Sequence, residues 1–385
     1  MKVRIPHYYD MFSCTGSKCP DTCCIGWMIE IDDASYERFM KMEGEWGENI
    51  RKNIVTREDG HFFALNEDGR CAFLNKDNLC EMVIKLGDKS LCSLCDNYPR
   101  IGEEFGSLRE MGLSLACPEV SKLVLSSDKP IRFGEWNKDE EVIGTDYTKD
   151  PLFLMLSDAR DILFGILQNR RLKISERMTL YLMFAAQLQN AVDNEEYENI
   201  ETIAGKFSSD EYISKCLSSV EKYEMSDTKE YVSNLLSFIT GLENINSRWI
   251  KMLSDTVEWV QTSDEESFEA LHNEFDTMYK NDSYVFEHLM VYYVYRYFLK
   301  MIFDGDIYSK AVLCATACIV IKEMDVAFYA GKGKCFSVQD QIDIFYLYSK
   351  EIEHCEENIA RLTDEFWDNE MYQPKNIINN ITNIL

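Results

Sequence analysis

Apolar positions change their rhythm about a third of the way along the chain. In "DPLFLMLSDARDILFGILQNRRL", Leu152, Met155, Leu156, Ala159, Ile162, Leu163, Ile166 and Leu167 recur every three or four residues, which predicts a helix with one buried stripe. "SERMTLYLMFAAQLQNAV" repeats the pattern, with Ser175 placed to cap its N-terminus. Ser263 with Glu266, and Ser337 with Asp340, stand at or near capping-box spacing ahead of further helical runs. One segment, "SYVFEHLMVYYVYRYFLKMIF" (283–303), is apolar or aromatic nearly all round, so it is expected to run through the middle of a helical domain. Its tyrosines, Tyr284, Tyr292, Tyr293, Tyr295 and Tyr297, need hydroxyl partners when buried. Core packing accounts for them; the alternative is an aromatic pocket suited to a sulfonium or an ammonium.

The first 125 residues read differently. "GWMIEIDDASYERFMKM" predicts a short strand leading into a helix capped by Asp32 or Asp33. "GHFFALNEDGRCAFLNKDNLCEM" has two turn signals between alternating apolar residues, as a β-hairpin would. Residues 126–150 mix turn formers and charges without helical periodicity and read as a connector. The expected fold is mainly α: a small cysteine-rich α+β metal-binding domain over 1–125, the connector, and a helical domain over 151–385.

Composition refines this picture. With 385 residues, 46% of them hydrophobic, the chain can bury a sizeable core. The start, "MKVRIPHYYDMF", lacks the apolar run of a secretory signal, and the longest charge-free apolar stretch, "AVLCATACIVI" (311–321), falls short of the ~20 residues a membrane span needs. A cytoplasmic protein is expected. The formal charge of -27 disfavours binding to nucleic acid or an anionic membrane. Residues 1–120 hold 14 basic against 21 acidic side chains, which leaves -20 on the remainder. That acidic surface either simply solvates the protein or draws in a lysine-rich protein partner.

Fourteen cysteines change the picture most. Nine fall in the first 117 residues: Cys14, Cys19, Cys23, Cys24, Cys71, Cys80, Cys92, Cys95 and Cys117. In a reducing compartment clustered thiols read as metal ligands or redox groups rather than disulfides. Cys216, Cys314, Cys318, Cys335 and Cys355 read as core or incidental. Pro20 suits the first position of a helical turn that would carry Cys23 and Cys24 near its start. Cys71 and Cys80 frame a turn, and Cys92 and Cys95 form a CxxC pair. Tetrahedral zinc usually draws on two such pairs, and His7 and His61 are the only histidines nearby. The reading therefore favours a [4Fe–4S] cluster on four cysteines, or on three with one iron open, with zinc as the alternative. The CxxxCxxC arrangement of radical enzymes is not matched, because position 26 is Gly26.

"CTGSKCPDTCCIGW", "CAFLNKDNLC", "LCSLCDNYPR" and Cys117 together resemble the cysteine signature of the flagellin lysine-N-methylase family and its wider kin, zinc- or iron-chelating proteins with a CxxCxxCC-type motif. "FEHLMVYYVYRYFLK" also resembles a C-terminal segment of that family. The resemblance implies methyl transfer from S-adenosylmethionine to lysines of flagellin, or of another lysine-bearing protein, with an iron–sulfur cluster associated. The first spacings here are x4 and x3 rather than x2 and x2, so which cysteines are ligands stays open. No glycine-rich loop of the dinucleotide-binding kind follows a strand; "AGKGKC" (330–335) lies among helical patterns and reads as a loop. S-adenosylmethionine would then bind between the cysteine domain and the helices, or to an open iron. Tyr98 and Arg100 are candidate lining residues for it, with a Tyr-Pro turn packed over the cluster as the alternative.

Overall fold

A computed structural model describes residues 1–221, 223–280 and 283–385. It is 63% helix and 9% strand, so the mainly α expectation holds, with the strands gathered in the N-terminal part. A four-stranded sheet contains β1 (Lys2–Pro6), β4 (Arg100–Glu104), β5 (Leu108–Leu113) and β6 (Phe133–Asn137) in the order β4-β5-β1-β6. β1 runs parallel to β5, pairing Arg4 with Glu110, and antiparallel to β6. Because a parallel pair needs a long crossover, the chain from His7 to Pro99 leaves the sheet and returns to it at β4. The cysteine-rich segment is that excursion.

Within it, β2 (Ile54–Arg57) and β3 (Gly60–Phe63) form a hairpin. The expected hairpin begins at the right place, but "GHFF" pairs backward with Ile54–Arg57. The two downstream turns are closed by single bridges, Leu65 to Cys71 and Leu74 to Cys80. The helix Asp33–Lys41 starts as predicted, with the Asp32 carboxylate accepting the Ser35 N–H at 3.0 Å. No helix forms after Pro20; residues 20–24 are turns. Ile29, Ile31, Phe39, Ile50, Phe63, Phe73, Leu74 and Met82 pack with Cys71 and Cys92 into a small buried cluster of their own.

A second, far larger cluster runs from Tyr8 and Phe105 through Val120, Val124 and Ile131 into the helices. Within the stretch expected as a connector, β6 extends the sheet. Asp146 pins the β4–β5 turn by accepting the Ser107 N–H at 2.9 Å. Gly106 is required in that turn: its φ is +89°, and a Cβ there would lie 2.3 Å from the Asp146 Cα.

The helix Tyr308–Gly331 is the axis of the body. Its Ala, Cys, Val and Ile residues leave no polar stripe from Ala311 to Ile321, so it is buried on all sides, and Cys314 and Cys318 are fully enclosed core residues as expected. The aromatic helix Tyr284–Tyr297 packs beside it and against the sheet. The hydroxyls of Tyr284, Tyr292, Tyr295 and Tyr297 find partners: Tyr295 donates to the carbonyls of Arg4 (2.8 Å) and Met111 (3.1 Å), tying the helix to β1 and β5.

The Ser337–Asp340 capping box forms as predicted, with Ser337 N–H donating to Asp340 at 2.8 Å. Two other caps sit one or two residues away from expectation. Asp264 rather than Ser263 caps the helix Glu265–Tyr279, because its carboxylate accepts the Ser267 N–H at 2.7 Å. Ser175 lies inside the helix Ile174–Asp193, whose start is held by Glu176 accepting the Lys173 N–H at 2.7 Å.

Candidate functional site

The excursion from the sheet brings the N-terminal thiols together. Cys14, Cys19, Cys23, Cys24, Cys80, Cys95 and Cys117 line one cavity of about 660 Å³, along with Trp27, Tyr98 and Arg100. Cys71 and Cys92 are buried beside it in the small core. All nine are free thiols. The Cys71 N–H donates to the Cys24 carbonyl at 2.8 Å, which locks the vicinal pair against the Cys71 turn. Cys80, Cys92 and Cys117 each occupy the residue before a helix, Glu81–Leu86, Ser93–Asn97 and Pro118–Leu125 respectively. Backbone N–H groups of the first turn therefore point at these sulfurs and favour the thiolate.

The electrostatics divide the thiols into two neighbourhoods. Cys14, Cys19 and Cys117 lie close enough for charge on one to raise the pKa of another. Cys23, Cys24, Cys71, Cys80, Cys92 and Cys95 form the second. A hydrogen bond from Cys24 lowers Cys23 to about 7 against the opposing effect of burial, with Lys350 adding a smaller pull in the same direction. A hydrogen bond from Cys95 lowers Cys92 to about 7 in the same manner. Cys24 and Cys95 hold their protons more tightly in consequence. Burial pushes Cys71 up to about 11 and Cys117 up to about 12. Full deprotonation of the set would bring several negative charges together in the interior, a cost that a bound cation would offset. Among the described residues, no three His, Cys, Asp or Glu side chains are placed to hold a single ion.

A neighbouring cavity shares Trp27 with this one, and its wall comes from far along the chain. Residues 349–353 form one π-helical turn at the end of the helix Val338–Tyr348, and the His354 N–H reaches back five residues to the Ser349 carbonyl at 3.2 Å. Such turns re-aim side chains. Here all five residues of the turn are buried. Lys350 donates to Asp21 (2.8 Å) and to the Thr22 carbonyl (3.0 Å), and lies 5.3 Å from the centre of the Trp27 ring. Glu353 accepts from Tyr292 (2.9 Å) and Tyr297 (2.8 Å) and pairs with Arg296 at 2.7 Å. The His354 ring packs 5.4 Å from Trp27 and 6.3 Å from Tyr98, and Ser114 Oγ lies 2.5 Å from its Nε2.

Tyr98 and Arg100, the candidate lining residues for S-adenosylmethionine, both line the thiol cavity. Tyr98 packs 5.9 Å from Trp27, and burial with the negative neighbours Cys117, Cys23 and Asp21 keeps its hydroxyl protonated. Arg100 leans over Phe12 (5.5 Å) and Tyr9 (6.0 Å). Trp27, Lys350, Glu351 and His354 were not singled out by the sequence pattern. The only signal was polar residues in "YSKEIEHC" directly after an apolar helical run.

Burial, then the nearby Arg296 charge, lowers His354 to about 4. An unfolded histidine near 6.5 binds its proton first, so stability is complete above neutral pH and falls as pH drops from about 6.5 toward 4. At pH 5 this one group is expected to cost about 2 kcal/mol relative to pH 7. Urea midpoints of the protein and of His354→Gln at the two pH values check it: the variant should lose correspondingly less stability on acidification.

Comparison with known proteins adds a decisive observation. Residues 160–379, more than half the chain, match the model of the FliB lysine N-methylase C-terminal domain. The chain belongs to the FliB lysine N-methylase family. It is 29% identical over 139 residues to the flagellar biosynthetic protein FliU of Salmonella muenchen, a stretch that is 34% of this chain and 82% of that protein. It is 28% identical over 157 residues to the lysine-N-methylases of Salmonella typhimurium and Salmonella choleraesuis, covering 39% of this chain and 38% of each of those proteins. No solved structure matches. The FliB-matched region begins beyond the N-terminal thiols, yet it supplies the π-helical turn, Lys350 and His354, which pack on Asp21 and Trp27 of the thiol cavity's lining.

Proposed function

We propose that this chain is an S-adenosylmethionine-dependent protein lysine N-methyltransferase that carries an iron–sulfur cluster on its N-terminal thiols and acts on flagellin. The observation that carries the reading is the meeting of the two halves. The FliB-matched helices deliver Lys350 and His354 against Trp27, a residue that also lines the cavity of seven thiols.

Thiols that pair with no other cysteine, drawn from four chain segments and gathered around one cavity, are donors of the kind an iron–sulfur cluster uses. When bound, the cluster would supply redox-active or Lewis-acidic iron. The second neighbourhood, with Cys23, Cys24, Cys71, Cys80, Cys92 and Cys95, offers enough thiols for complete ligation. Lys350 places a positive charge beside Cys23, offsetting the negative charge that thiolates would bring into the interior. Trp27 and Tyr98 give the same cavity aromatic faces of the kind that attract a sulfonium. An amine must be unprotonated to attack a sulfonium methyl carbon, and the imidazole of His354, which burial keeps neutral, is a group that could accept its proton.

The acidic surface gives the reading a kinetic consequence. Long-range attraction is screened over ~10 Å at ~0.1 M salt. Raising ionic strength is expected to increase the KM for flagellin while leaving that for S-adenosylmethionine unchanged. Steady-state kinetics varying each substrate separately provide the test. An acceptor KM that stays flat would show the acidic face to be a solvated surface only, and absence of turnover with any lysine-bearing protein would favour a metal-stapled binding protein.

A further inference from the structure

A second cavity, of about 300 Å³, shares Trp27 with the one lined by the thiols. Trp27 and His354 form its aromatic wall, Glu351 lies at its base, and Glu243, Ile245 and Glu356 stand exposed at its rim. We infer that this cavity receives the side chain of the acceptor lysine. The inference rests on the methyltransferase reading above and assigns its second substrate a place.

Three features support it. First, the charge is uncompensated. Lys350 is the one cation among the lining residues, and its ammonium is already engaged by Asp21 and the Thr22 carbonyl. Three carboxylates remain, a lining that attracts an alkylammonium. Second, Glu351 is 6% exposed, and its Oε2 accepts the N–H groups of Ile245 (2.7 Å) and Asn246 (3.1 Å). Among the described residues nothing donates to its Oε1. A buried carboxylate with one oxygen fixed and the other available is a receptor for a donor from outside. Third, the shape suits a lysine. The indole and imidazole offer an apolar surface to a four-carbon stem, and the exposed Ile245 continues it to the rim. The indole of Trp27 borders both cavities, so an amine entering here arrives beside the space lined by the thiols.

The test uses the full-length, anaerobically purified protein with two readouts. The rim substitution Glu243→Lys is compared with Glu269→Lys, an equal charge change on the exposed face of the helix Glu265–Tyr279. With flagellin as acceptor, Glu243→Lys is expected to raise the acceptor KM about tenfold, leaving kcat and the KM for S-adenosylmethionine unchanged, while Glu269→Lys has little effect. Equal effects of the two substitutions, or none from Glu243→Lys, would overturn the inference and leave the methyltransferase reading standing. The second readout needs no turnover: n-butylammonium, the lysine side chain without its backbone, is followed by saturation-transfer NMR. Binding that is lost in Glu243→Lys and kept in Glu269→Lys supports the site even if no acceptor is methylated. No binding to the unsubstituted protein contradicts it.

Discussion

On the proposed cluster, replacing Cys92 with serine is expected to abolish most of the iron and to loosen the small core around Phe39, Phe63 and Phe73, while the helical body stays folded. Cys92 is fully buried in that core and precedes the helix Ser93–Asn97, and its Sγ donates to the Glu30 carbonyl at 3.6 Å. A small lobe with a two-stranded hairpin and about ten core residues has little cohesion of its own, so metal-binding energy there is folding energy. The large core is separate and draws on none of the residues between Phe12 and Tyr98 as fully buried members. Cys314→Ala or Cys318→Ala should leave iron content unchanged, since both lie inside the helix Tyr308–Gly331, and should lower stability by about 1–2 kcal/mol through lost packing. Iron and sulfide assays with far-UV circular dichroism check both arms. Equal iron loss from Cys92 and Cys314 variants, or collapse of all helix in Cys92→Ser, would refute this division of the thiols.

The second large effect concerns the joint between sheet and helices. Arg160, in the helix Pro151–Leu167, donates two hydrogen bonds to Glu110 of β5 at 2.7 and 2.6 Å, and both residues are buried. Arg4 of β1 approaches the same carboxylate at 3.4 Å. Removing Arg160 leaves a buried carboxylate with only that longer contact, so Arg160→Met is expected to destabilise the protein by about 3–5 kcal/mol. Arg160→Met with Glu110→Leu should recover most of the loss, because no charge is then stranded. Denaturant midpoints with unchanged m-values give the comparison. A single substitution costing under ~1 kcal/mol would mean the pair contributes little beyond packing.

What could be read from the sequence follows from the range of the forces involved. Helix periodicity is local, so the stripe from Leu152 to Leu167, the all-round apolar helix at 284–297 and the Ser337–Asp340 cap were all legible. Caps one residue from expectation, such as Asp264 for Ser263, reflect competition between adjacent oxygen-bearing side chains that spacing cannot rank. The hairpin was anchored correctly at Gly60 but given the wrong partner, because turn signals mark reversals without saying which arm pairs. The parallel pairing of β1 with β5 joins residues over a hundred positions apart and has no local signature. The thiols could be recognised by type, and Tyr98 and Arg100 by their place beside Cys95. His354 and Lys350 could not be, because the π-helical turn that aims them is a backbone event and their partners Trp27 and Asp21 lie more than 300 residues earlier.

The reading as a lysine methylase is tested most directly by mapping isotopically labelled methyl groups on flagellin by tandem mass spectrometry, after incubation with anaerobically purified protein and labelled S-adenosylmethionine. The expected result is label on lysine Nζ, absent when Cys92→Ser replaces the unsubstituted protein. Unlabelled flagellin from protein that carries its full complement of iron would contradict it.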